Sequence, residues 1–154
     1  MPPPKKATPA PVAVVRKGLI SSLAYSALSP ADKKESHRLE FVHRPAVLFG
    51  AADYLYHATS TSALAAIRVG GLKTRDALGL GAKDASKDAF ISAAKTVDGA
   101  GSLSSTSTLL RFKPSAIPGT PAWKSYGGAD EVRTMSPVPA NVLEKRTGTT
   151  WGPV

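Results

Sequence analysis

The sequence predicts a single α+β domain in which two helices precede a set of short antiparallel strands. Three observations carry that expectation. The 154 residues are 42% hydrophobic and 20% charged, enough for one domain with its own core. Helical periodicity and capping signals crowd into the first 45 residues, while the remainder is built from short aromatic and aliphatic runs separated by turn signals. Helices gathered ahead of the strands argue against a doubly wound sheet, and no repeat of solenoid length is present.

The opening segment, residues 1–11, "MPPPKKATPAP", holds five prolines and two lysines. Proline density forbids a helix and favours extended, solvated backbone, so the segment reads as a tail or linker. Residues 12–154 read as one domain, with helices over 12–45 and the sheet region over 46–154. Val12 to Leu28 places Val15, Leu19, Ile20 and Leu23 on one helical face. Ser29 as cap, Pro30 in the first turn and Asp32 at the positive end start a second helix that is expected to run to about Phe41.

From Ala46 the pattern changes. "AVLF" and "DYLYHA" read as strands. "STSALAAIRVGG" reads as a short helix capped by Thr59 or Ser60, with Leu64 and Ile67 buried and Gly70 or Gly71 ending it. "GLGAKDASKD" reads as a polar loop, "AFISA" as a strand, "GAGSLSSTS" as a small-residue loop and "TLLRFKP" as a strand. "IPGTPAWKSYGGAD" reads as a long turn-rich loop, "EVRTM" as a strand, and "VPANVLEKR" as extended chain.

The chain has no cysteine, which excludes disulfides, thiolate metal sites and a cysteine nucleophile. Its net charge is +9 and is spread along its length: residues 1–45 carry eight Lys/Arg against three Asp/Glu, residues 46–154 twelve against eight. Such a surface speeds encounter with polyanions, or serves solubility alone. No run of about 18 apolar residues exists, so no membrane span is expected. In "VAVVRKGLISSLAYSALS", Arg16 and Lys17 divide the apolar stretch, and it is not read as a signal peptide.

The stretch richest in chemistry is "YLYHATSTSALAAIRVGGLKT". His57 lies at the end of a strand, where Ala58, Thr59 and Ser60 turn into a helix whose backbone N–H groups suit a phosphate. There it can donate to a ribose hydroxyl or a phosphate oxygen; its bland role is a packed, neutral strand imidazole. His37 and His43 lack companions at metal spacing and read as surface or packing residues, so no metal is expected. Further on, Glu131 opens a strand, and its bland role is an ion pair with Arg133 or a lysine.

"LYHATSTSALAAIRVGGLKT" resembles the opening motif of the ADP-ribosyltransferase superfamily, a strand ending in Tyr-His-Gly/Ala-Thr, then a helix, then a Gly-Leu turn. Two later stretches are similar to that superfamily's other motifs. "DAFISAAKT" carries Ser92 where a strand ends in a small hydroxyl or aromatic residue. "GGADEVRTMSPVPANVLEK" carries Glu131 at a strand start, followed by a Val-Pro-x-x-x-Leu segment. The resemblance covers about Ala46 to Lys145.

It implies split, strongly bent antiparallel sheets and transfer of ADP-ribose from NAD to a macromolecular acceptor, protein or nucleic acid. Glu131 is then the catalytic residue, and NAD is held by His57, Ala58, Thr59, Ser92 and an aromatic platform supplied by Phe90, Trp123 or Tyr126. The toxin and effector members imply action in the cytoplasm of a target cell after delivery by a secretion system, with an immunity or inhibitor protein as a further partner. Two departures matter. The chain lacks the tyrosine pair that sandwiches nicotinamide in the diphtheria-like branch, having no tyrosine between Tyr56 and Tyr126, and Ala129 stands where the arginine-specific branch has a first glutamate. An RNA 2′-phosphotransferase using Arg111 or Arg133, an NAD hydrolase, and a non-catalytic basic nucleic-acid-binding module remain open alternatives.

Overall fold

The computed structural model describes residues 25–81, 83–101, 105–126 and 130–154. The tail over 1–11 and most of the first expected helix lie outside the described residues. The second helix, α1 (Pro30–His43), forms for the expected reasons: the Ser29 hydroxyl accepts the Asp32 N–H at 3.1 Å, and Pro30 opens the first turn. It runs to His43, past Phe41. Arg44, extended ahead of Pro45, then terminates it.

Seven strands follow: β1 (Leu55–Ser60), β2 (Ile91–Ala94), β3 (Ser107–Phe112), β4 (Lys124–Ser125), β5 (Glu131–Thr134), β6 (Glu144–Thr147) and β7 (Thr150–Pro153). They form one antiparallel sheet in the order β4-β5-β2-β1-β3-β6-β7, so the fold is α+β as expected. The pairing is uneven. Six residues of β1 register with β3 and four of β2 with β5, but β1 and β2 share only the pair Tyr56↔Ala94. Three strands on one side and four on the other therefore meet at a narrow joint, beyond which β1 and β2 part.

Cross-strand partners share a face, and alternate residues change face. Leu55, Ile91, Ala93, Leu110, Phe112 and Val132 accordingly fall on one face, where they build the main core with Ile67, Leu72, Trp123, Val138 and Leu143. Tyr56, Ala58, Ser92, Ala94, Arg111, Glu131 and Arg133 fall on the other.

After β1, a 3₁₀ turn over Thr61–Ala63 leads into α2 (Leu64–Gly70), which buries Ile67 against the core while Leu64 packs on its margin. Gly71 ends α2 at φ 75° and ψ −167°, a conformation in effect reserved for glycine. A Cβ there would stand 2.1 Å from the Val138 carbonyl oxygen. That closeness lets Leu72 and Val138 exchange backbone hydrogen bonds of 2.8 and 2.9 Å, tying the end of α2 to the Val-Pro segment ahead of β6.

One local expectation changes, and two further stretches form elements of their own. "AVLF" supplies a single bridge, Ala46↔Lys124, because its partner β4 is a two-residue edge strand. The loop after Gly71 contains a one-turn helix, α3 (Arg75–Leu78), and its polar stretch is organised by buried Asp88, which accepts the Lys83 and Asp84 N–H groups. The C-terminal residues form a β6–β7 hairpin through Gly148 and Thr149, with Gly148 at φ 62°. Among the described residues no helix is long and apolar enough to cross a membrane.

Candidate active site

The parting of β1 and β2 links three residues through the two faces of β2. With no ladder partner past Ala94, the Ser92 carbonyl accepts a hydrogen bond of 2.7 Å from His57 Nδ1. This bond fixes the neutral tautomer, with the proton on Nδ1 and the lone pair on Nε2. The Ser92 hydroxyl, on the other face of β2, donates at 2.7 Å to Glu131 Oε2, on the neighbouring strand β5. Arg133, two residues along β5 and so on the same face, donates Nε–H to that same oxygen at 2.8 Å. Among the described residues no hydrogen bond is directed to Glu131 Oε1.

His57, Ser92 and Glu131 line a cleft of about 300 Å³ whose walls also include Tyr56, Ala58, Gly99 and Ala100. His57 lines a second hollow too, of about 230 Å³, walled by Thr59, Ile67, Gly71 and Leu72. The histidine thus stands where the two spaces meet.

The electrostatics follow from these contacts. Burial pushes the His57 imidazole below its ordinary value, outweighing the bond to Ser92, and keeps it neutral near pH 7. Burial alone would raise the Glu131 carboxyl. The hydrogen bonds from Arg133 and Ser92, with the charges of Arg133 and Lys87, overcome it and hold the group below the usual carboxylate range. At neutral pH the linked set therefore holds a fixed anion, a neutral imidazole and a serine hydroxyl. Among the described residues no cluster of His, Asp and Glu suits a metal ion.

His57, Ala58, Ser92 and Glu131 share the cleft, while Thr59 lines the adjoining hollow. Phe90 and Tyr126 stand elsewhere. They are 7% and 6% exposed and pack with Phe41 of α1 in a second apolar cluster. Trp123 is 2% exposed and sits in the main core beside Phe112. None of the three rings lines the cleft, where the nearest aromatic residue is Tyr56. Trp123 and Tyr126 thus serve the long loop as packing anchors.

β1 runs on through Ser60, so His57 is its third residue and not its end, and the helix start differs from expectation too. Ser60 makes no side-chain cap, and the Thr61 N–H donates to the Thr106 carbonyl at 2.7 Å, so that donor is not free for a phosphate. Arg133 is a member of the site whose signal was available in sequence: the spacing Glu131-x-Arg133 on a strand sets both side chains on one face. Set against known proteins, the chain matches no family model and no curated protein.

Proposed function

We propose that the protein is an NAD-dependent mono-ADP-ribosyltransferase of the toxin or effector type, with Glu131 as its catalytic residue, His57 as a substrate-holding group and Ser92 as the residue that positions both. The observation that carries the reading is the linked set His57–Ser92–Glu131 at the parting of β1 and β2, in a cleft. The motif resemblance and this geometry rest on the same three residues, drawn from strands far apart in sequence.

The chemistry asks for little else. In the reaction the bond between ribose C1′ and nicotinamide breaks, and nicotinamide leaves neutral with the bonding pair. An acceptor nitrogen or oxygen bonds to C1′ and gives its proton to solvent. With water as acceptor the products are ADP-ribose, nicotinamide and a proton. Positive charge grows on the ribose as the bond breaks, and an ionised carboxylate beside it stabilises the transition state more than the bound substrate. Glu131 is ionised and held by two donors on Oε2, and Oε1, with no donor among the described residues, suits a ribose hydroxyl. Its ion pair with Arg133, the bland expectation, is therefore part of the same arrangement. His57, neutral and tethered through Nδ1, offers Nε2 as an acceptor for a substrate hydroxyl or amide.

The test is nicotinamide release from NAD by the purified chain, followed by mass spectrometry of a cell lysate incubated with the protein and isotope-labelled NAD. Label on a macromolecule supports transfer. Nicotinamide release with no labelled acceptor would make the protein an NAD hydrolase, and no release at all would remove the enzymatic reading.

A further inference from the structure

The sheet face that carries Ser92 and Glu131 continues across β1, β3, β6 and β7 as a run of rings and cations. Tyr56, on the cleft wall, lies 6.1 Å from the Trp151 ring. The Arg111 guanidinium sits between two rings, 4.4 Å from that of Trp151 and 4.1 Å from that of Tyr54. Lys113 follows, 5.3 Å from the Tyr54 ring. Tyr54 and Lys113 then wall a hollow of about 400 Å³.

All five side chains are half-buried, so their bodies are supported while part of each meets solvent. Arg111 is paired with Glu144 at 2.7 Å. Among the described residues, neither Lys113 nor Arg146, which lies across from Trp151 in the hairpin, has a carboxylate partner.

We propose that this track, Tyr56–Trp151–Arg111–Tyr54–Lys113 with its terminal hollow, docks single-stranded nucleic acid and leads an acceptor strand to the Glu131 cleft. The assignment of that strand as acceptor rests on the ADP-ribosyltransferase reading; the docking surface does not. Two features favour this occupant. Lys113 in the track and Arg146 beside Trp151, without carboxylate partners among the described residues on a chain of net charge +9, suit a phosphate backbone. The rings that flank Arg111 and Lys113 offer stacking faces that an acidic peptide would not use and that a duplex, with its bases stacked inside, cannot reach.

The experiment is fluorescence anisotropy of end-labelled oligo(dT) and oligo(U), each about twelve nucleotides long, with the full chain across salt concentrations. A duplex of the same length and an oligoglutamate peptide serve as competitors. Both single strands are expected to bind and to weaken steeply as salt rises from about 50 to about 200 mM, the tighter of the two naming the sugar preferred. Tyr54→Ala and Trp151→Ala should each weaken binding by about tenfold, and Trp151→Phe, which keeps a ring in the fold, should largely retain it. Lys113→Gln should flatten the log–log salt slope by about one.

Equal competition by duplex or peptide would overturn the proposal, as would unchanged binding in Tyr54→Ala when thermal melting shows that variant folded. Nicotinamide release to water by Tyr54→Ala should match wild type while transfer to the oligonucleotide falls. If wild type releases no nicotinamide yet binds oligonucleotides through the rings, the enzymatic reading fails and the docking surface stands. If it releases nicotinamide and binds no single strand, the reverse holds.

Discussion

Ser92→Ala separates two contacts that one residue makes through different atoms. The hydroxyl donates to Glu131 Oε2 at 2.7 Å, while the carbonyl receives His57 Nδ1–H at 2.7 Å. Alanine removes the first and keeps the second. A hydrogen bond to a charged group is worth about 1.5–3 kcal/mol. Here the lower end applies, because Arg133 keeps its own 2.8 Å bond to the same oxygen and the Glu131 side chain is 31% exposed. About 1.4 kcal/mol is tenfold in rate, so single-turnover nicotinamide release at saturating NAD should fall by about tenfold, with NAD affinity nearly unchanged. The pH profile gives a second readout. The Ser92 bond helps hold the Glu131 carboxyl below its ordinary value, so its loss lets that value rise. The carboxylate then protonates earlier as pH falls, and the acid limb of the rate profile moves to higher pH. An unchanged rate with an unmoved acid limb would refute the idea that Ser92 holds the carboxylate for the chemical step.

Glu131→Gln keeps size and most hydrogen bonding but removes the anion, so single-turnover release should fall by about a hundred- to a thousand-fold while NAD binding survives; equal rates would remove Glu131 from the mechanism. His57→Gln should weaken NAD binding measured by calorimetry, by roughly 1–3 kcal/mol. It should also change acid stability: the folded chain holds His57 below its ordinary value, so as pH drops through about 6.5 the unfolded chain takes up a proton that the folded chain resists. Wild type therefore loses stability on that acid side, and denaturant melts from pH 7 to 5 should show a shallower loss in the variant. Gly71→Ala forces a Cβ to within 2.1 Å of the Val138 oxygen at a φ of 75°. The strain and the broken bridge should cost roughly 3–5 kcal/mol and lower the melting temperature by roughly 10 °C, and an unshifted melt would show that the Gly71–Val138 approach is not needed.

How much of this was legible in the sequence depends on the reach of each signal. α1 was readable because Ser29, Pro30 and Asp32 act on backbone three residues away. His57, Ser92 and Glu131 were readable as candidates because each lies in a short strand bounded by turns, and motif order joined them. That β1 and β2 would touch at a single pair was not readable, since register is decided by partners distant in sequence. The fate of the aromatic residues was equally hidden. Nothing local to Phe90 or Tyr126 shows that the partner burying them is Phe41, on a helix far back in the chain. The β6–β7 hairpin was missed because "TGTTWGPV" has little apolar alternation; its strand pairs with β6 and keeps only Trp151 as a large side chain.

The second cluster gives α1 a place in the working of the site. Tyr126 is stacked by two guanidinium groups, Arg44 at 3.9 Å and Arg133 at 4.4 Å from its ring. Arg44, at the end of α1, is held in turn by Glu40 at 2.7 Å and by the Ser125 carbonyl at 2.9 Å. Arg133 donates Nη1–H to the Ser86 carbonyl at 2.8 Å and Nε–H to Glu131. Burial pushes the Tyr126 phenol up to about 12, against the opposing pull of Arg44, so the ring stays neutral as a surface on which both cations rest. A lone arginine on a strand edge would swing through many rotamers, and its hydrogen bond to Glu131 would have to overcome that freedom. Clamped by a carbonyl and a ring, Arg133 has lost most of that freedom before any substrate arrives. The Glu131 carboxylate is thereby fixed from two sides, by a strand neighbour through Ser92 and by the helix-anchored cluster through Arg133. That is the preorganisation a transition-state-stabilising anion requires, and it makes α1 a support for the cleft, tied to it through one ring and two cations.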